Sequence, residues 1–196
     1  MPSLRLIKLS RPGLKEASLT IERKQTLLLS GPSGSGKTLL LRAIADLDKN
    51  QGEVWLDNSE RASFKPADWR AQVAYIPAES HWWGDLVEQH ASFWEIDLLN
   101  QLGFDKDVLK WSVNRLSSGE KQRLALARTL SHEPKALLLD EVTANLDHEN
   151  TLRVETLIKH YQETRHSPIL WVSHAPEQRD RLGGLQMTIN QGALSS

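Results

Sequence analysis

Gly31-Pro32-Ser33-Gly34-Ser35-Gly36-Lys37-Thr38 decides the fold of this chain. The stretch fits G-x-x-x-x-G-K-[ST] at every fixed position, and both flanks are those the pattern needs. The apolar run Thr26-Leu27-Leu28-Leu29-Ser30 leads into it, and Lys37-Thr38-Leu39-Leu40-Leu41-Arg42-Ala43-Ile44-Ala45, with helix character, leads out. Strand, Gly-rich loop and helix in that order gather backbone N–H groups at a helix N-terminus, where hydrogen bonding and the helix dipole both favour phosphate oxygens. In such a cradle Lys37 would reach β- and γ-phosphates, and the Thr38 hydroxyl would hold Mg²⁺. The loop alone leaves kinases, GTPases and many ATPases open.

The bulk properties narrow the field. A length of 196 residues suits one domain, or one domain with a sizeable insertion, and is enough to bury a parallel sheet. A composition of 39% hydrophobic and 25% charged residues is that of a globular protein. The formal net charge of −1 gives no reason to expect a nucleic-acid partner, since such domains carry a basic excess. Cysteine is absent, which removes disulfides and thiolate chemistry. The first residues lack the apolar core of a signal peptide, and no apolar run approaches the ~20 residues that span a bilayer. Any membrane role is therefore expected through a partner. Tryptophan is abundant, with seven against three Phe and two Tyr.

Read in order, residues 4–9 and 17–22 alternate as two strands around the turn Arg11-Pro12-Gly13, an opening hairpin. After the first helix, 49–52 reads as a turn and 53–57 as a strand, while 58–68 is polar and reads as loop. Residues 73–76 form a short apolar strand stopped by Pro77, and 85–102 is predicted helical from Leu86, Val87, Phe93, Ile96 and Leu99. Helices are predicted over 118–132 and 147–165, and buried-type strands over 136–140, 169–173 and 185–189. Strands alternating with helices imply a mostly parallel sheet covered on both faces. The expected architecture is α/β: a P-loop NTPase with that central sheet, an N-terminal antiparallel β portion and a small helical insertion at about 79–115, all in one domain over 1–196.

Two further stretches choose among P-loop proteins. Ala136-Leu137-Leu138-Leu139-Asp140-Glu141 is an apolar strand ending in two carboxylates. Beside the Gly-rich loop, Asp140 would come near the metal, and Glu141 would face the γ-phosphate, where a carboxylate can orient or deprotonate water. Leu116-Ser117-Ser118-Gly119-Glu120-Lys121-Gln122-Arg123 contains the capping box Ser117-x-x-Glu120. The same geometry offers a hydroxyl and free N–H groups at a helix N-terminus, an anion site.

That last stretch resembles the signature motif of ABC-type ATPases, usually written LSGGQ, and Gln122-Arg123-Leu124-Ala125-Leu126-Ala127-Arg128 resembles its continuation. The resemblance covers nearly the whole chain in order. Residues 31–38 look like Walker A and 136–141 like Walker B, with Glu141 as catalytic carboxylate. Ala144-Asn145-Leu146-Asp147 looks like the D-loop, and His174 after Trp171-Val172-Ser173 like the switch histidine.

The resemblance implies an ATP-binding and hydrolysing transporter subunit, with ATP and Mg²⁺ as cofactors and Glu141, His174 and Lys37 as catalytic residues. It implies that two copies pack head to tail, each ATP lying between Gly31, Pro32, Ser33, Gly34, Ser35, Gly36, Lys37 and Thr38 of one and Ser117, Ser118, Gly119 and Glu120 of the other. It also implies an integral-membrane permease as partner and a cytoplasmic, peripheral position on the inner face of the cell membrane. The alternative is a soluble ABC ATPase acting on a nucleic-acid or ribosomal complex, for which no basic tract is present. A small-molecule kinase gives no reason for residues 116–123.

Three departures from the resembled pattern carry expectations of their own. Where the family has a metal-contacting glutamine after the strand 73–76, this chain has Ala78-Glu79. Either Glu79 joins Thr38 and Asp140 as a metal contact, or that contact is missing. No aromatic occurs among residues 1–24, so base recognition falls to aliphatics such as Leu9 and Leu14, with weaker selection of adenine over guanine. Ser118 stands for the first signature glycine and Glu120 for the final glutamine. His81-Trp82-Trp83-Gly84 puts large amphipathic side chains where the resembled family docks a permease helix, while Trp94 and Trp111 read equally well as core.

Overall fold

The structure is a computed structural model and describes residues 3–195. They form two compact units. The first comprises residues 1–75, 134–141 and 161–196, and the second 76–133 and 142–160.

The first unit is built on two sheets. β1 (Leu4–Arg11) and β2 (Leu14–Ile21) form the expected hairpin, each strand running further toward the turn than its sequence signal. Joined by β4 (Gln51–Leu56) and β5 (Ser59–Glu60), they make a four-stranded antiparallel sheet in the order β2-β1-β4-β5. The second sheet has six strands in the order β10-β9-β3-β8-β7-β6. Its members are β3 (Thr26–Ser30), β6 (Val73–Ile76), β7 (Ala136–Asp140), β8 (Ile169–Val172), β9 (Leu185–Asn190) and β10 (Ala193–Ser195). β3 pairs in parallel with β8 and β9, and β7 with β8, whereas β10 returns antiparallel. Of the buried-type strands, every residue of β7 and β8 is buried, as are the three leucines of β3, whereas β9, beside the edge strand β10, buries only Ile189.

α1 (Lys37–Ile44) packs its Leu40, Leu41 and Ile44 at 0% exposure into a core shared with Leu4, Leu6, Leu9, Leu27, Leu138 and Leu170. Each such side chain contributes about 1.5–3 kcal/mol of burial. After α1, Asp48 accepts Arg42 Nε at 2.7 Å and Nη2 at 2.9 Å, and also Arg11. The Arg42 hydrogen bonds hold its pKa down to about 2.

The stretch 58–68 is not all loop. It contains β5 and the start of α2 (Pro66–Gln72), which opens with Pro at its first turn. This short helix has one buried residue, Trp69, so no periodic stripe announces it. Trp69 Nε1 donates to Ile44 O at 2.9 Å, satisfying a carbonyl at the end of α1 that has no intrahelical partner.

In the second unit, 85–102 does not form the continuous helix its apolar residues suggest. A 3₁₀ turn covers Val87–His90, and α3 is confined to Ile96–Gln101. Leu86 and Val87 lie off a single helical stripe with the later apolar residues, and the backbone bonds elsewhere: Val87 N to Trp111 O at 3.1 Å and Val113 N to Asp85 O at 2.8 Å. α4 (Ser118–Leu130) carries the capping box, and α5 (His148–Arg165) begins in this unit and ends in the first. In the first unit α6 (Pro176–Leu182), which the sequence reading lacks, follows His174.

Candidate active site

The Gly-rich loop joins β3 to α1, and its conformation requires glycine. At Gly31 (φ +146°) a Cβ would lie 2.2 Å from Ile189 O, so β9 runs too close for any side chain. Gly36 caps α1 in the left-handed region at φ 111°. Lys37, 6% exposed, donates through Nζ to Gly31 O at 2.9 Å and Pro32 O at 3.0 Å, which draws the ammonium over the loop. The buried Ser35 hydroxyl has no hydrogen-bond partner among the described residues, a polar group aimed within the cradle.

Thr38, at the second position of α1, donates from Oγ1 to Asp140 Oδ2 at 2.8 Å across 102 positions of sequence. The same oxygen accepts the Tyr75 phenol at 3.0 Å. Burial first, and then the adjacent Asp140 charge, push the Tyr75 pKa well above its ordinary value. Tyr75 thus keeps its proton and acts as a donor. It is the site residue that sequence reasoning missed, since within Val73-Ala74-Tyr75-Ile76 it reads as one more strand residue.

Glu141 follows with φ 52°, an uncommon conformation for a non-glycine residue and one that marks functional turns. Its Oε1 lies 2.8 Å from His174 Nε2, so the imidazole donates and the carboxylate accepts. The His174 loop is braced from α6: Ser173 Oγ donates to Gln178 Oε1 at 2.6 Å, and Arg179 Nη1 donates to Ser173 O at 3.1 Å. Carboxylate and imidazole are both partly open to solvent, an arrangement suited to a base and its orienting partner.

The donor set suits a hard divalent ion. The Thr38 hydroxyl and the Asp140 carboxylate are oxygen donors brought to one point, and Mg²⁺ is typically held by one or two such groups together with phosphates and waters. Among the described residues no cluster of three His, Cys, Asp or Glu could hold a metal by itself. His90, far from ligating, is a core residue: Nε2 accepts Trp83 N and Gly84 N, each at 2.9 Å, while Nδ1 faces Leu86 O and Val87 O.

Two recesses border the β1–β2 turn. One, of about 630 Å³, is lined by Ser10, Arg11, Pro12, Asp48, Asn50 and neighbours. The other, of about 460 Å³, is lined by Gly13, Leu14, Lys15, Gly34, Gln191 and Gly192. Neither is lined by an aromatic ring. Leu9 is at 0% exposure within the core, which removes it as a base contact; Leu14, at 4%, offers an edge to the second recess.

The signature residues belong to the second unit. Glu120 Oε2 accepts Ser117 N at 2.8 Å, and Ser117 Oγ accepts Glu120 N at 3.2 Å, the reciprocal capping box. Ser118 begins α4 with a helical backbone, so the glycine it stands for is not required there. At Gly119 an added Cβ would meet Leu146 Cδ2 at 3.2 Å and Asn145 O at 3.3 Å, bringing 144–147 against the helix start. Glu79 is exposed in the same unit. Trp94 is core at 7% exposure, and Trp111 carries Arg115 over its ring at 4.1 Å. Trp83 is 71% exposed, and Arg128 stacks on both Trp82 and Trp83.

Comparison with known proteins follows the same lines. Residues 14–144 match the sequence pattern described as ABC transporter. The chain is 32% identical over 178 residues to the "Probable iron export ATP-binding protein FetA" of Escherichia coli (strain K12), covering 84% of this chain and 79% of that protein. It is 27% identical to the phosphate import ATP-binding protein PstB of Aeropyrum pernix, covering 92% of this chain and 82% of that one. Among solved structures, the post-hydrolysis dimer of the ATP-binding cassette MJ0796 bound to ADP and Pi matches with a TM-score of 0.83 at 21% identity, over 98% of both chains.

Proposed function

The chain belongs to the ABC transporter family as an ATP-binding and ATP-hydrolysing subunit, and from that premise we propose which residues carry the reaction and what it drives. The observation that carries the proposal is the convergence, at the C-terminal ends of the neighbouring strands β3, β8 and β7, of the Thr38–Asp140 bond and the Glu141–His174 pair, both at 2.8 Å. Lys37 leaves the loop carbonyls for the β- and γ-phosphates, where its ammonium stabilises the charge that develops in phosphoryl transfer. The free backbone N–H groups among residues 33–38 surround the phosphates. Thr38 and Asp140 would hold Mg²⁺. When bound, Mg²⁺ neutralises charge on the phosphate oxygens. Glu141 orients the attacking water and accepts its proton, and His174 fixes the Glu141 carboxylate on the γ-phosphate side.

Residues 1–196 are read as one ATPase domain with an insertion at about 79–115. Ser117, Ser118, Gly119 and Glu120 serve a second copy of the chain, giving a two-fold, head-to-tail dimer with two equivalent sites. No described helix is long and apolar enough to cross a membrane. The membrane partner is a permease, and the subunit acts on its cytoplasmic face. Relatives are named for import and for export, so substrate and direction are assigned to that partner.

The exposed Trp83, with Trp82 and Arg128 beside it, supplies an aromatic surface for a permease helix. Pulling down the full chain from membranes of its source cells is expected to recover a multi-helix membrane protein, and Trp82→Ala with Trp83→Ala to lose it at unchanged ATP binding. Recovery of ribosomes or DNA instead, or undiminished capture by the double variant, would contradict this reading. Because no aromatic lines the recesses at the β1–β2 turn, a binding titration is expected to give comparable affinities for ATP and GTP; a strong preference for ATP would show that the base is recognised by other means.

A further inference from the structure

We propose that Tyr75 is a positioning residue for the metal-binding carboxylate: its phenol locks Asp140 in the orientation that, together with Thr38, receives Mg²⁺. The inference rests on the assignment of Thr38 and Asp140 to the metal.

β6 contributes Val73, Ala74 and Ile76 to the buried interior, at 0%, 7% and 1% exposure, and Tyr75 packs its ring against the same core. For packing alone a phenylalanine would serve at this position. The hydroxyl is the part that burial does not explain, and it is directed at Asp140 Oδ2, 3.0 Å away. β6 lies beside β7 in the sheet, so a ring near the end of one strand reaches the carboxylate that ends the other.

Two donors on one oxygen do what one does not. The terminal torsion of an aspartate is broad, so a carboxylate held by a single hydrogen bond still rotates about its last bond. Thr38 Oγ1 and the Tyr75 phenol reach Oδ2 from helix α1 and strand β6, at 2.8 and 3.0 Å, and together define the plane of the group. The Thr38 bond is compatible with metal binding, because a hydroxyl that gives a lone pair to a cation keeps its proton for Asp140. The phenol, packed against the core and not itself a ligand, is the donor whose place would not depend on the metal. Asp140 is 3% exposed, so no bulk water replaces a lost donor. Partners of this kind around a metal ligand change metal affinity by roughly 10–100-fold.

The experiment measures binding of a non-hydrolysable ATP analogue to the full chain by calorimetry, with EDTA and with Mg²⁺. In Tyr75→Phe the affinity with EDTA is expected to equal wild type, while the factor by which Mg²⁺ tightens binding falls about tenfold. Asp140→Asn and Thr38→Val set the scale. Adding Tyr75→Phe to Asp140→Asn is expected to cost nothing more, because both act on one group. A Mg²⁺ effect unchanged in Tyr75→Phe, a full additional loss in the double variant, or an equal loss with EDTA would each overturn the proposal. If Asp140→Asn and Thr38→Val also leave the Mg²⁺ effect intact, it is the metal-site assignment that fails.

Discussion

Glu141→Gln is expected to slow ATP hydrolysis by roughly 10²–10⁴-fold, the range a general base contributes, while ATP binding is retained. The change is confined to chemistry. Glutamine has the shape of glutamate and meets the same φ of 52°, and its amide oxygen still accepts the His174 hydrogen bond. What it lacks is the charge that draws a proton from water. Because the bound γ-phosphate is then not released, the variant with ATP should run at twice its monomer mass by light scattering, and wild type should do so only transiently. His174→Ala tests the other half of the pair and is expected to lower the rate in the same direction, since the carboxylate loses the donor that orients it at 2.8 Å. A Glu141→Gln protein that turns over ATP at the wild-type rate would remove Glu141 from the reaction.

Trp69→Ala carries the largest expected loss of stability. The indole is at 0% exposure, meets Phe64 edge to face at 5.5 Å, and satisfies the Ile44 carbonyl. Removing a buried tryptophan costs about 3–5 kcal/mol. For a chain of this length each kcal/mol lowers Tm by about 2–4 °C, so thermal unfolding should shift by about 6–20 °C. Trp69→Phe keeps most of the apolar volume but leaves the Ile44 oxygen without its donor, and should cost about 1–3 kcal/mol. A melting curve unmoved by Trp69→Ala would show that α2 is held by its neighbours alone. The loss should also reach the nucleotide site, since α1 begins at Lys37 and ends at the carbonyl that Trp69 caps.

The two predictions differ in how far they could be read from the chain itself. Glu141 was legible because an apolar run closed by two carboxylates is a local pattern, and so were Lys37, Thr38 and the capping box of Ser117 and Glu120. The strands 26–30, 73–76 and 136–140 were legible for the same reason: unbroken apolar runs bounded by turn residues admit one reading. Trp69 was not, because a seven-residue helix with one buried side chain has no period to detect. The stretch 85–102 misled in the opposite sense, with enough apolar residues to suggest a helix but a backbone whose partners, Trp111 and Val113, are chosen by tertiary pairing.

Sequence by itself determined the α/β class, the Gly-rich loop with its helix, the acidic strand end and the order of the motifs, all features carried by neighbouring residues. Only the tertiary structure decided that Thr38 and Tyr75 share one oxygen of Asp140, that His174 faces Glu141, and that Leu9 is sealed in the core. Those facts depend on which strands lie side by side, and strand order is set by burial of whole faces and by crossovers of many residues. No local spacing along the chain encodes it.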